Sequence, residues 1–383
     1  MEEKDKHLAA LLSNRSKWGF IWIIISSTLW GLSYVPKEVI WYIEPLSPMW
    51  ETGGVTLLEG TVVASALQAL FFGTFIFLLW SLINGKQREA VETFVTWPIS
   101  KWFFASAIFG GLMAMFGSTL ATAYVGADYA ATIALLSATT GTLYGRAFLK
   151  EKLTPSSVLG MIVMTIGGIL VIDPAAMINE MSDPSGKDGL IFGYVGGILS
   201  AIGWGVESCY NVRGLEMSDN EATTPSRYMW ECIIWLTIIM PLICLFVGIS
   251  EGVDVLYGTL WACLMSPAMW VLTLITVFSL GIADSLLHKG YILLGAGRGL
   301  AMNAIYAPIS LLALWVFLKD YDISFWLIVG SFICIVGTFI IYWHKEEFDE
   351  SVRDFKDDPS FERPPSHCTY SDNVSDGSEI HVK

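Results

Sequence analysis

Apolar residues in this chain arrive in blocks of about twenty, and that block length governs what the chain can fold into. A helix of about 20 apolar residues crosses the hydrocarbon core of a bilayer. Ten such blocks can be read, near 18–42, 53–83, 102–123, 127–147, 154–173, 190–213, 226–248, 268–292, 299–318 and 323–343. In lipid a helix satisfies its own backbone polar groups, so each block is expected to be helical. With 54% hydrophobic and 15% charged residues, the composition fits an all-α polytopic membrane protein and excludes a nucleic-acid-binding one.

The blocks repeat. Gly126 to Glu151 lies on Gly295 to Asp320 without a gap at an offset of 169, matching Ala138 to Ala307 and Lys150 to Lys319. A second alignment, offset by 174, pairs Gly19 with Gly193, Ser26 with Ser200, Trp30 with Trp204 and Gly31 with Gly205. Five spans per copy is an odd number, so the copies are expected to be inverted. Inverted duplication in a polytopic chain points to a secondary transporter, whose halves expose one site alternately. The expected division is a cytoplasmic segment 1–17, repeats 18–173 and 190–343, an extracytoplasmic linker 174–189, and a tail 344–383. Outside the tail, Lys and Arg gather on one side (Arg15, Lys86, Arg88, Lys101, Arg146, Arg213, Arg227, Lys289, Arg298 among them), leaving Lys187 and Lys319 on the other. By the positive-inside rule both termini are cytoplasmic, and the plasma or inner membrane is the expected host.

Much of the formal charge of -14 sits in the tail, where 344–383 carries eleven Asp and Glu against five Lys and Arg, a net of -6. Its Pro, Ser and Asp content suits a disordered appendage. No cleavable signal precedes the first span, which is expected to direct insertion itself. The Asn14 and Asn373 glycosylation tripeptides fall on the cytoplasmic side and should be silent. The scattered cysteines offer neither a disulfide framework nor metal spacing, and no cofactor is expected.

Trp30-Gly31 followed by Lys37, and Phe148-Leu149-Lys150-Glu151 before a Gly-rich span, resemble the drug/metabolite transporter superfamily, in particular its EamA-like family. The resemblance covers nearly all of 18–343 and implies ten spans in two inverted halves. Two positions depart from the pattern. Thr139 stands where members often carry Pro, while its counterpart Pro308 keeps it, so the two central helices are expected to bend differently. Glu59 stands where members often carry Arg, with Glu231 equivalent to it 172 residues on. The family's cargoes range from amino acids and amines to sugars and nucleotide conjugates, so the resemblance implies a transport mode rather than a cargo.

Glycines such as Gly110, Gly111, Gly117, Gly193, Gly197, Gly167 and Gly337 read as packing positions where helix backbones approach. Pro36, Pro241 and Pro308 read as hinge candidates, since each deletes a backbone hydrogen bond within a span.

An ionisable residue at bilayer depth costs about 2.5–3.5 kcal/mol at a helix centre and needs a partner or a function. Lys37, Glu59, Glu207, Glu231 and Asp284 qualify, and Lys37 is read as the one clear cation inside a span. Lys37 and Glu59 are expected to neutralise each other, as a gate or structural pair. Tyr228, Glu231 and Trp235 share one helical face, an acid among aromatics that suits an organic cation; the ordinary alternative pairs Glu231 with Arg227 near the cytoplasmic surface. Trp204, Glu207 and Asn211 form a stripe equivalent to Trp30, Tyr34 and Lys37, and both stripes are expected to line a central cavity or else simply to pack. Asp284 and His288, followed by Tyr291, are candidates to carry a coupling proton, or a satisfied pair. Asn303, Tyr306 and Ser310, and Thr119 with Thr122, offer hydrogen bonds to cargo or between helices.

The resulting expectation is a transporter, secondary active or facilitative, of a small organic cation or zwitterion. Anionic conjugates would favour Arg or Lys clamps, which makes a nucleotide-sugar carrier the alternative, with a membrane receptor or scaffold acting through its tail as a further one. No enzyme motif accompanies Asp284 and His288. The expected partners are the cargo, lipid and a proton, with a homodimer left open.

Overall fold

The structure, a computed structural model, describes residues 2–149, 153–171, 189–247, 249–294, 299, 302–318 and 323–341. The expected linker apart from Gly189, the tail with Asn373, and Lys150, Glu151, Lys152, Lys187, Arg298, Lys319 and Asp320 lie outside the described residues. Among the described residues there is helix and no strand.

The helices in chain order are α1 (Glu2–Val39), α2 (Gly54–Ile83), α3 (Gln87–Val95), α4 (Trp97–Val125), α5 (127–148), α6 (Pro155–Val171), α7 (Leu190–Leu215), α8 (Glu221–Phe246), α9 (Val253–Met265), α10 (Pro267–Leu294), α11 (Tyr306–Phe317) and α12 (Phe325–Ile341). By length and composition, six of them are able to cross a membrane: α1, α2, α4, α7, α8 and α10. Helices α6, α9, α11 and α12 are apolar but shorter. The chain is thus an all-α polytopic membrane protein with several long apolar helices and others that are shorter. Helix α9 lies in a stretch read as a loop; Glu251, Asp254, Gly252 and Gly258 interrupt its apolar run.

Local geometry follows local chemistry. Helix α5 tightens at Ala134–Leu136 and then resumes. Pro308 is the third residue of α11 and follows a turn at 304–305 that parts this helix from the helical residues 302–303; the N–H it lacks is the one that would have bonded the Ala304 carbonyl across that turn. Pro36 does lie inside α1. Pro241 follows a widened, π-helical stretch of α8 at Trp235–Ile239. Similar wide stretches occur at Phe72–Trp80 in α2 and Ala107–Met115 in α4.

Helix α1 packs on α10 and α11, α7 on α4 and α5, α2 on α8, and α6 along α12. Glycine makes the closest of these contacts. A Cβ on Gly117 of α4 would sit 2.5 Å from the Gly196 carbonyl of α7, and one on Gly196 would sit 2.7 Å from the Gly117 carbonyl. Between α6 and α12, a Cβ on Gly167 would lie 2.8 Å from the Gly330 carbonyl, and one on Gly337 would lie 2.8 Å from that of Gly160. With no strong hydrophobic drive between helices in lipid, such close backbone contact supplies the attraction. The outer surface exposes Phe246, Trp261, Trp315 and Phe332, a face suited to acyl chains.

Candidate functional site

The site begins with two glycines. Gly110 and Gly111 stand in the widened stretch of α4, where a Cβ on Gly110 would lie 2.2 Å from the Glu207 carboxyl carbon and one on Gly111 would lie 2.6 Å from Glu231 Cγ. Their missing side chains make room for one glutamate from α7 and one from α8. Between the two acids lies Arg227, whose Nε is 2.7 Å from Glu207 Oε1 and whose Nη1 is 3.0 Å from Glu231 Oε2. The guanidinium is 2% exposed, Glu207 6% and Glu231 1%. Asn211 Nδ2 donates to Glu207 Oε1 at 3.4 Å, and the Ser106 hydroxyl lies 2.6 Å from Asn211 Oδ1 and 3.3 Å from Glu207 Oε1.

The ordinary alternative, a Glu231–Arg227 pair, is present, but Arg227 is buried and not at a surface, and it joins Lys37 as a second cation inside an apolar helix long enough to span. The helix holding Arg227 begins at Asn220, about two turns before it, and so carries it into the bundle. Two carboxylates removed from water around one guanidinium depend on its charge, which offsets one of the two, and on the Asn211 and Ser106 groups beside Glu207.

Asp284 on α10 accepts a hydrogen bond from Trp30 Nε1 at 3.0 Å and another from the Tyr228 hydroxyl. The Tyr228 ring stacks on Phe72 with centroids 3.9 Å apart. His288 Nδ1 lies 3.0 Å from Thr224 Oγ1, so Asp284 and His288 share a helix face and both meet α8, Asp284 through Tyr228 and His288 through Thr224, while Asp284 also meets α1 through Trp30. Asn303 Oδ1 accepts from the Ser27 hydroxyl at 3.0 Å, and the Tyr306 hydroxyl donates to the Ala131 carbonyl at 2.9 Å. An aromatic layer crosses the middle: Trp30 meets Trp204 edge-on at 4.9 Å and Tyr306 at 5.8 Å, and Tyr34 stacks on Tyr306 at 6.2 Å.

A pocket of about 440 Å3, its open mouth included, lies against this layer. Of the residues expected there, Trp30, Trp204, Glu207, Asn211, Asp284, His288, Asn303 and Tyr306 line it, joined by Ser137, Ser208, Leu287 and Tyr291. Tyr34, Tyr228, Glu231 and Trp235 are buried and do not line it; Trp235 instead packs against Phe116 at 5.7 Å. Lys37 is 2% exposed, with Nζ 5.0 Å from the Tyr34 ring centroid and no hydrogen-bond partner. The expected Lys37–Glu59 pairing is therefore not a hydrogen-bonded one, and Glu59 is half-buried on α2.

Sequence reasoning passed over Glu38. Buried beside Lys37, it accepts the Ala127 backbone N–H and the Tyr42 hydroxyl, each at 2.8 Å, which caps the N-terminus of α5 with a carboxylate. An acid inside the block 18–42 was the available signal. Among the described residues no cluster of His, Cys, Asp or Glu could hold a metal ion.

No family model and no curated protein matches the sequence. Solved structures do match in fold, 28 chains in all. One of them, described only as the crystal structure of a protein, superposes with a TM-score of 0.50 at 16% identity, covering 86% of this chain and 96% of its own. At that identity the likeness is one of fold alone, an arrangement of the backbone shared over most of the length of both chains.

Proposed function

We propose that the chain is a secondary active or facilitative transporter of a small organic metabolite, working by alternating access between two inverted five-helix halves, 18–173 and 190–343. The observation that carries this is the construction of the pocket. Its walls come from α1 and α5 of the first half and from α7, α10 and 303–306 of the second, and the equivalent residues Trp30 and Trp204 meet there. The packing supports the same reading. Exchanging the halves turns the contacts of α1 with α10 and α11 into those of α7 with α4 and α5, and returns α2–α8 and α6–α12 to themselves. Halves related by a two-fold axis in the membrane plane pack in this way. The reading also agrees with the resemblance to EamA-like drug/metabolite transporters.

The proposed cargo is a cation or zwitterion. Glu207 and Asp284 stand in the pocket wall together with the indole rings of Trp30 and Trp204, a combination suited to an ammonium group. Asp284, with His288, is the proposed proton carrier. The position of Arg227 directly behind Glu207 favours a second reading, in which an anionic metabolite displaces Glu207 from the guanidinium. The proposed setting is the plasma or inner membrane with both termini cytoplasmic.

The test is flux into proteoliposomes for amines, neutral amino acids, sugars and nucleotide sugars, with and without a pH gradient. Saturable uptake of an amine or amino acid supports the proposal, and uptake confined to nucleotide sugars moves it to the anionic reading. Absence of flux for every class refutes a transporter of these cargoes.

A further inference from the structure

Two pairs of repeat-equivalent positions contribute both members to the pocket: Trp30 with Trp204 at offset 174, and Ser137 with Tyr306 at offset 169. An axis relating the halves therefore passes through this aromatic layer. Four other lining residues, Ser208, Asn211, Leu287 and His288, have equivalents at Tyr34, Lys37, Ser118 and Thr119 by the same offsets, read back from α10 into α4. That extension is consistent with the packing. The Ser279 hydroxyl bonds the Leu29 carbonyl at 2.8 Å, and at the equivalent place Gly203 lies against Phe109 and Ala114, which flank Gly110.

All four equivalents are buried and none lines the pocket. Thr119 donates to the Met115 carbonyl at 2.9 Å, but the other three are poorly satisfied. Lys37 Nζ has no hydrogen-bond partner, and the neighbouring hydroxyls of Tyr34 and Ser118 stand outside hydrogen-bond geometry. Buried polar groups are nearly always paired, and an unpaired buried ammonium is the least favourable kind. A state of the protein in which these groups meet a ligand or water accounts for their retention.

We propose that Tyr34, Lys37, Ser118 and Thr119 form a second binding face, closed in this structure, which opens as the pocket closes. Lys37 is its charged member and receives the carboxylate of a zwitterionic cargo whose ammonium end is taken by Asp284 and Glu207. The two faces carry opposite charge because Lys37 stands at the position of neutral Asn211, whereas the positions of Glu207 and Asp284 are Ser33 and Met115 in the other repeat. Until a carboxylate arrives, the ammonium rests over the Tyr34 ring, 5.0 Å from its centroid. This inference rests on the transporter reading above and narrows its cargo.

Two measurements on the full chain test it and keep it separable from that reading. Glycine betaine and choline carry the same trimethylammonium group and differ in a carboxylate against a hydroxymethyl. Lys37→Gln should weaken betaine binding by about ten-fold while leaving choline within about two-fold, and Lys37→Arg should restore most of the loss. Equal effects on both probes, no effect on either, or failure of the unsubstituted protein to bind betaine would each overturn the proposal. The second measurement labels Ser118→Cys and Leu287→Cys, in a background without native cysteines, with a membrane-impermeant maleimide on proteoliposomes. Labelling of the two from opposite sides upholds alternating access whatever Lys37 does, so a negative betaine result would then count against the Lys37 assignment alone. Protection of Ser118→Cys from both sides would remove the transporter reading and the second face together.

Discussion

Removal of Arg227 strands two buried carboxylates, and Arg227→Met should lower stability by about 3–5 kcal/mol, the scale for breaking a buried ion network. Glu207→Gln alone should also destabilise, yet the double variant should lose less than the sum, because the second change removes a charge the first left unpaired. Thermal unfolding in detergent measures this cycle, and additive losses would mean that the contact at 2.7 Å contributes no coupling. Lys37→Met should act in the opposite sense and raise stability by about 1–3 kcal/mol, since a partnerless buried donor is replaced by an apolar chain of similar length; a lower Tm would contradict the absence of a partner. At this scale the sequence was informative about faces and silent about partners. The spacing of Trp204, Glu207 and Asn211 placed three residues on one stripe, and Glu207 and Asn211 do line the pocket and touch each other. The same kind of spacing put Asp284 and His288 together, whereas their partners, Trp30, Tyr228 and Thr224, come from α1 and α8. No periodicity within one helix encodes which other helix it will meet.

Block length carried the helices that are uniformly apolar, and α2, α7 and α10 fall where their blocks lie. It missed α9, because acids and glycines dilute its run, and it began α8 too late. The polar turn Asp219-Asn220-Glu221 marks the true start, with an acid in the first turn facing the N-terminal dipole. Helix contacts built on glycine lead to a contrast. Gly167→Leu, whose Cβ alone would lie 2.7 Å from Cys334 Sγ and 2.8 Å from the Gly330 carbonyl, must separate α6 from α12. It should cost about 1–3 kcal/mol or more. Gly258→Ala, at an exposed helical position with nothing within 4 Å of the new Cβ, should instead gain up to about 1 kcal/mol. Paired thermal melts of the two variants check both directions, and similar shifts for both would show that the close α6–α12 approach has no energetic weight.

Across the molecule, contacts between loops add little to this frame. Lys86, after α2, lies 2.7 Å from Glu89 and 3.1 Å from Asp219 before α8, and those hydrogen bonds hold its ammonium above the usual lysine range. All three groups are partly exposed, so the cluster contributes less than about 1 kcal/mol, and Lys86→Ala should leave both stability and uptake nearly unchanged. A large loss of uptake would instead assign that turn a part in the transport cycle. The match of Trp30 with Trp204 and the 169-residue register were legible as identities, and the 174-residue offset already set Lys37 against Asn211; that Asn211 lines the pocket while Lys37 does not depends on the other helices around them and was not legible. The seam between α6 and α12 has a mechanical corollary. Bodies joined by side chains can slide, since rotamers re-form behind the motion, but two backbones touching at glycines have no such slack. If 18–173 and 190–343 move against each other, they can only tilt about that seam, as the boards of a book turn on its spine, and the leaves that part are those carrying Trp30 and Trp204.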